Sequence, residues 1–202
     1  MELQYLGWNI LTLGFIGTLV LTILEGYGSW VQSRAIWLNR SGQSVSITVF
    51  TFLLFEFIVT FTYGVSINSI ALIFNGLLVV MQIPIVLGLW KFKGFNKKEK
   101  ALSLALCLVC IVMIFSSAKD WFFLLFSLGS IAFFLPQPWE IWKNKDSGVV
   151  EIKMIAAYFI SALFWTLYAY AIHDWVLEIV CPSYLILLVL AGSLWYKYRQ
   201  PL

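Results

Sequence analysis

The chain has 202 residues, of which 61% are hydrophobic and only 11% are charged, and its formal net charge is +3. Soluble domains carry about 25% charged residues, so this composition excludes an ordinary soluble domain and indicates an integral membrane protein. The small positive charge does not indicate nucleic-acid binding, because the basic residues fall in the connections between apolar runs.

Seven apolar runs are long enough for a membrane helix, which needs about 20 residues. In chain order they cover residues 6–37, 45–65, 69–90, 101–118, 121–142, 152–172 and 175–196. The first run is too long for one straight crossing, so we expect its beginning to lie on the membrane surface or to extend beyond the bilayer. A β-barrel is excluded, because barrel strands alternate polar and apolar residues over about ten positions. No removable signal peptide is expected, because a basic leader with a cleavage site is missing.

The basic residues are distributed unequally between the two ends of these runs. Lys119 falls on one side, and the others share the opposite side: Arg34, Arg40, Lys91, Lys93, Lys97, Lys98, Lys100, Lys143, Lys145, Lys153, Lys197 and Arg199. Because basic residues concentrate on the cytoplasmic side, we predict an outside N-terminus and a cytoplasmic C-terminus. This asymmetry requires an odd number of crossings, which agrees with seven.

The chain is similar to itself at a shift of 105 residues. The shift brings identical residues into register at positions 32 and 137, 36 and 141, 37 and 142, 39 and 144, 45 and 150, and 63 and 168. We therefore predict an all-α membrane fold of 3+1+3 helices. Residues 1–94 form the first three-helix repeat, 95–119 a basic loop and linker helix, and 120–202 the second repeat. Triplets with an odd number of helices have the same orientation, an arrangement with which transporters build a path at the repeat interface.

The segment LPQPWEIWKNKDSGVV at residues 135–150, followed by LFWTLYAY at residues 163–170, resembles the PQ-loop family, whose best-known members are the SWEET sugar transporters. The 3+1+3 layout and the predicted orientation also resemble SWEETs. The resemblance implies alternating-access transport of a small polar solute, with a sugar as the first expectation. One alternative is a proton-coupled transporter of an amino acid or similar cationic or zwitterionic solute. The other is a membrane receptor similar to the KDEL receptors.

Prolines are expected to act as hinges, because a proline removes a helix donor and crowds the preceding turn. The resemblance implies four such prolines, one in each of the first two helices of both repeats. Of these four helices only the fifth span of the chain contains prolines, which are Pro136 and Pro138. The first repeat has Val31 where a proline is expected. We therefore assign hinge or gating roles to Pro136, Gln137, Pro138 and the repeat-related Gln32, with more bending in the second triplet.

Four side chains are expected at one depth, slightly outside the bilayer midplane, when 1.5 Å is counted per helical residue. They are Asn75, Trp165, Thr60 and Cys181. The resemblance implies that Asn75 and Trp165 bind the substrate, with Thr60 or Phe61 and Cys181 as their repeat mates. Amide groups and an indole suit a polyol or a zwitterion. The alternative is that Asn75 only joins two helices and that Trp165 faces lipid.

Glu25 and Glu56 are predicted near the midplane, where a charged side chain costs about 3 kcal/mol on insertion scales. Such groups face a water path, find a partner or stay protonated. They are candidates for proton coupling or cation recognition. The alternative for Glu25 is a structural hydrogen bond to Tyr27, Ser29 or another helix.

Other chemistry is not expected from this sequence. No metal or nucleophile motif lies within a span and His173 is peripheral, so an enzyme is not predicted. Cys107 and Cys110 form a CxxC without a second pair, which favours packing over a metal or cofactor site. A peptide receptor would need basic residues along an outer cavity, and only Lys119 lies in the outer half of a span. The expected partners are a small polar solute and the bilayer, and an oligomer is compatible with the sequence.

Overall fold

The computed structural model describes residues 2–42, 45–145 and 152–199. These residues form a 3₁₀ turn, Glu2–Tyr5, followed by α-helices. The helices are α1 (Ile10–Asn39), α2 (Ile47–Ile67), α3 (Ile70–Gly76), α4 (Val79–Phe92), α5 (Lys97–Phe115), α6 (Lys119–Phe134), α7 (Pro136–Asn144), α8 (Ile152–Ile172) and α9 (Trp175–Tyr198).

Within the described part of the chain, five stretches are long and apolar enough to cross a membrane: Ile10–Asn39, Ile47–Ile67, Ile70–Phe92, Ile155–Ile172 and Trp175–Tyr198. The chain is thus an integral, multi-pass membrane protein with an all-α fold, as the sequence predicts. The third and fifth predicted spans are each divided in two, at Leu77–Leu78 and at Leu135. The seven-helix 3+1+3 arrangement stays a prediction.

Polar side chains set the starts of several helices by accepting hydrogen bonds from free backbone N–H groups. Ser69 caps α3 by accepting from the N–H of Leu72 at 3.1 Å, and Asp174 caps α9 through Leu177 at 2.9 Å. A reciprocal capping box of Asn96 and Glu99 starts α5 at Lys97 rather than at the predicted residue 101.

The first helix is continuous over its 30 residues. At 1.5 Å per residue it is about 45 Å long, which exceeds the roughly 30 Å hydrocarbon core. The run is therefore one continuous helix from Ile10 onward, and its position relative to the bilayer surface stays a prediction.

The chain divides into two compact units. Residues 19–126 form the first unit, and residues 2–18 together with those from Ser127 onward form the second. The first helix and α6 each contribute residues to both units.

In the first unit, small residues let α2 and α3 approach until their backbones are in contact. A Cβ atom added to Gly64 would lie 2.7 Å from the nitrogen of Ile73, and one added to Gly76 would lie 2.5 Å from the Cα of Phe61. Close approach through glycine is a common way to pack membrane helices, where lipid removes most of the hydrophobic driving force. This contact places Asn75, the neighbour of Gly76, close to α2.

In the second unit, α8 and α9 pack through a cluster of buried residues that includes Ile155 and Leu188. The first turns of α1 also contact α8 in this unit. A Cβ atom on Gly14 would lie 2.7 Å from the backbone nitrogen of Tyr168, and one on Gly17 would overlap the ring of Phe164. The glycines therefore allow α1 to reach the aromatic face of α8.

Local backbone features recur in the register of the sequence repeat. Left-handed dihedrals are uncommon for residues other than glycine. Among the described residues they occur at Arg40 (φ 47°) and Lys145 (φ 55°), and at Asn68 (φ 57°) and His173 (φ 55°), which are two pairs 105 residues apart. In each repeat the second of these residues directly precedes a helix cap.

Candidate functional site

One face of α1 in the first unit carries a stripe of polar residues. Thr22, Glu25, Ser29 and Ser33 are separated by three or four positions, so they lie on one side of the helix. Thr22 and Ser33 are buried, and Glu25 and Ser29 are half-buried. A polar face on a membrane helix is costly unless it meets other polar groups or water.

Asn75 meets this stripe from the last turn of α3. Its Nδ2 donates to Thr22 Oγ1 at 3.2 Å and to Glu25 Oε2 at 3.3 Å. The predicted substrate residue Asn75 and the predicted coupling residue Glu25 thus belong to one hydrogen-bonded cluster. This contact is the interhelical bond weighed as the alternative for Glu25, and it also places a carboxyl beside a predicted substrate contact.

A second amide meets the stripe from α4. Gln82 is only 3% exposed, and its Nε2 donates to Ser29 Oγ at 3.0 Å. Its Oε1 accepts no hydrogen bond from the described residues. Buried amide oxygens are normally paired with protein or with ordered water, so this oxygen is suited to a water or a polar ligand. We call Thr22, Glu25, Ser29, Asn75 and Gln82 the polar seam.

The helix that carries both amides is interrupted between them. At Leu77–Leu78 the backbone tightens, and the Leu78 N–H bonds to the Asn75 carbonyl at 3.0 Å, three residues back. Pro84 lies just beyond and supplies no N–H for the carbonyl of Val80. Short 3₁₀ stretches within helices often mark hinges. The break therefore divides the polar seam into a part with Asn75 and a part with Gln82.

The predicted residues on α2 lie at its contact with α3. Thr60 is buried, and its Oγ1 donates to the backbone carbonyl of Glu56 at 2.9 Å, so its proton is used within the helix. Phe61 is 36% exposed, and its backbone contacts Gly76. Glu56 is half-buried.

In the second unit, Trp165 belongs to an aromatic and acidic cluster. It is half-buried, and its ring packs edge-to-face on Tyr168 with the centroids 5.9 Å apart. The Tyr168 hydroxyl donates to Glu2 Oε1 at 2.5 Å, and Glu2 is 1% exposed. A hydrogen bond from a hydroxyl to a carboxylate is shorter and stronger than one between two neutral groups. Trp165 therefore has protein on one face and is not wholly exposed to lipid.

Cys181 is buried in α9 with a free thiol, one residue before Pro182. Asn75 and Thr60 belong to the first unit, whereas Trp165 and Cys181 belong to the second. The pocket predicted from these residues together stays a prediction.

The PQ motif begins at the junction of α6 and α7. Leu135 separates the two helices but keeps helical dihedrals, with φ −57° and ψ −38°. Pro136 follows at the first position of α7, and Pro138 is buried. The side chains of Pro136 and Gln137 lie outside those described, and Gln32 is half-buried on α1. The hinge and gating roles of these residues stay predictions.

Two of these clusters contain residues that the sequence did not single out. Thr22 had a readable signal, since it continues the helical spacing around Glu25, whereas Ser29 was named only as an alternative partner of Glu25. Gln82 had a weaker one, as an uncharged amide within an apolar run. Glu2 had no signal in the sequence, because its partner Tyr168 is 166 positions away.

Two comparisons with known proteins agree with the sequence resemblance. Residues 120–177 match the family model of the PQ loop repeat. A solved eukaryotic SWEET transporter, determined at 3.7 Å, aligns with a TM-score of 0.74 and 14% identity over 92% of this chain and 94% of that chain. No curated protein sequence matches the chain. The fold is therefore SWEET-like, and the predicted resemblance is confirmed.

Proposed function

We propose that this protein is an alternating-access transporter of a small polar solute, with a sugar as the first candidate substrate. The observation that carries the proposal is the polar seam, which holds a carboxyl, two amides and two hydroxyls within membrane-spanning helices. Ionisable and strongly polar groups inside a membrane usually mark a solute or ion route. The SWEET-like fold and the PQ-loop match support the same class of function.

The chemistry of the seam fits a solute with several hydroxyl groups. Asn75 and Gln82 use amide donors within the seam, whereas the Oε1 of Gln82 accepts no hydrogen bond from the described residues and can accept one from a sugar hydroxyl. In our proposal Asn75 contacts the solute directly, and Trp165 offers an aromatic face to its CH groups. Thr60, Phe61 and Cys181 are proposed as further solute contacts.

The alternative is proton-coupled transport of an amino acid or similar zwitterion, and the position of Glu25 favours it. In the structure, Glu25 Oε2 accepts a hydrogen bond from Asn75 Nδ2. A protonated Glu25 would keep one accepting oxygen and gain an O–H donor, which the amide oxygen of Asn75 could accept. Protonation would thus change the hydrogen bonding of Asn75, which lies two residues before the break at Leu77–Leu78. Glu56 would be a second coupling carboxyl.

Motion is proposed at the two places where a membrane-spanning segment is divided. The first is Leu77–Leu78, and the second is Leu135 with the following prolines Pro136 and Pro138. Backbone donors are missing or rearranged at both, so bending there breaks few hydrogen bonds.

The test is counterflow of labelled sugars and amino acids into proteoliposomes, with and without a pH gradient. We expect saturable exchange of at least one solute, with strong loss for Asn75→Ala and Trp165→Ala. The matched control is Trp8→Ala, because Trp8 is fully exposed. Sugar exchange at the same rate with and without the pH gradient supports the first candidate. Amino-acid uptake that is driven by the pH gradient supports the alternative. If no solute exchanges but a peptide binds, the receptor class replaces both.

A further inference from the structure

Basic side chains stack on aromatic rings at the end of α9 in the second unit. Lys145 Nζ donates to the Tyr198 hydroxyl at 3.0 Å, and Lys197 Nζ lies 5.3 Å from the centroid of the same ring. Arg199 Cζ lies 4.4 Å from the ring centroid of Tyr196. No carboxylate among the described residues forms an ion pair with these three cations. We call these five residues the basic–aromatic cluster.

An open groove of about 480 Å³ lies beside this cluster, between α8 and α9. Its walls are almost entirely hydrocarbon or aromatic, and they include Ile155 and Phe159 of α8 and Leu188 and Gly192 of α9. The groove is open at Gly192, since within 4 Å a Cβ there would meet only the Ile155 side chain, at 3.7 Å. Such walls offer little to a sugar or a nucleotide, but they suit a hydrocarbon chain.

The groove and the cluster share a residue. Tyr196 lines the groove and also carries Arg199 on its ring. Lys197 follows Ser193, another lining residue, by one helical turn, so it lies on the same side of α9. An elongated molecule with its apolar part in the groove would therefore have its other end beside the side chains of Lys197 and Arg199.

We propose that this groove binds an anionic phospholipid, with one acyl chain between α8 and α9 and the phosphate at Lys197 and Arg199. Aromatic and basic side chains at a helix end are typical of the headgroup level of a bilayer. Arg199 binds phosphate through its planar guanidinium, and Lys145 adds a third positive charge. The site belongs to the second unit alone and does not depend on the transport proposal.

The experiment measures lipid retained by the full-length protein, by native mass spectrometry after extraction from vesicles of equal parts phosphatidylcholine and phosphatidylglycerol. Wild-type protein should retain phosphatidylglycerol preferentially. The double variant Lys197→Gln/Arg199→Gln should reduce that preference by about fivefold for each cation removed. Gly192→Leu should reduce retention of both lipids by filling the groove. Ser193→Leu fills the same groove from an exposed position and is used if Gly192→Leu does not fold.

The matched control is Lys97→Gln/Lys98→Gln, which removes two exposed cations from the first turn of α5. An equal loss in that variant would overturn the proposal in favour of general charge attraction. Unchanged retention in the Lys197/Arg199 variant would also overturn it. Displacement by excess inorganic phosphate would assign the cations to free phosphate instead. Circular dichroism and monodisperse elution verify that each variant is folded.

Discussion

The Glu25–Asn75 contact allows a quantitative test of the polar seam. Asn75→Ala removes two hydrogen bonds, to Thr22 at 3.2 Å and to Glu25 at 3.3 Å. Both distances are at the long end of the usual N–H···O range. A neutral bond contributes about 1 kcal/mol and a bond to a charged group about 1.5–3 kcal/mol. Because both bonds are long, we take a joint value of about 2 kcal/mol, just below the low end of their sum.

A loss of this size has two measurable consequences. If the bonds stabilise a state needed for transport, the initial counterflow rate falls by roughly 30-fold, since about 1.4 kcal/mol is a factor of ten. If they also stabilise the fold, the melting temperature falls by roughly 4–8 °C for a chain of this length. Both are measured on the same purified variant.

A double-mutant cycle separates the contact from the effects of each single substitution. Glu25→Gln, Asn75→Ala and the double variant are compared in counterflow across a pH series, with Asp120→Asn as the carboxyl control at the start of α6. We expect the double variant to be no worse than the more damaging single variant, with a coupling free energy of about 1–2 kcal/mol. Strictly additive losses, or an unchanged pH profile in Glu25→Gln, would refute the argument that the two side chains act together.

Three further substitutions test the packing and the hinges. Gly76→Ala places a methyl group 2.5 Å from the backbone of α2 and should lower the melting temperature by several degrees, whereas Gly28→Ala, with nothing within 4 Å, should not. Tyr168→Phe removes the hydroxyl that donates to the buried Glu2 carboxyl and should cost about 1–3 kcal/mol in thermal unfolding. The control Tyr170→Phe alters an exposed ring, and equal effects would argue against the buried bond. Pro136→Ala should slow transport by restoring a helix donor, and an unchanged counterflow rate would remove this hinge.

The sequence predicted the helices well where composition decides them. The predicted sixth span, residues 152–172, coincides with α8, because a run of about 20 apolar residues has few alternatives in a membrane. The start of α5 was placed four residues too late. The basic residues from Lys97 to Lys100 read as a loop, but the capping box at Asn96 and Glu99 begins the helix before them.

The side-chain contacts between helices were less predictable. Counting residues along a helix gives the depth of a side chain in the membrane but not the direction in which it points around the helix axis. The count placed Asn75 roughly 22 Å and Glu25 roughly 17 Å above the inner membrane edge. Their side chains nevertheless meet, since together they span that difference. The break at Leu77–Leu78 has no proline or glycine at the position itself, and its nearest signals are the flanking Gly76 and Pro84.

Thiol labelling at position 75 tests most directly whether the polar seam lies on the solute route. Asn75→Cys is made in a background that replaces the three natural cysteines, Cys107, Cys110 and Cys181, by serine. Val80→Cys is the control, since Val80 is an exposed position of α4. We predict that a hydrophilic thiol reagent labels the Asn75→Cys protein and that the transported solute slows this reaction, with no solute effect at position 80. A position 75 that is inert to the reagent, or labelled at the same rate with and without solute, would contradict the account.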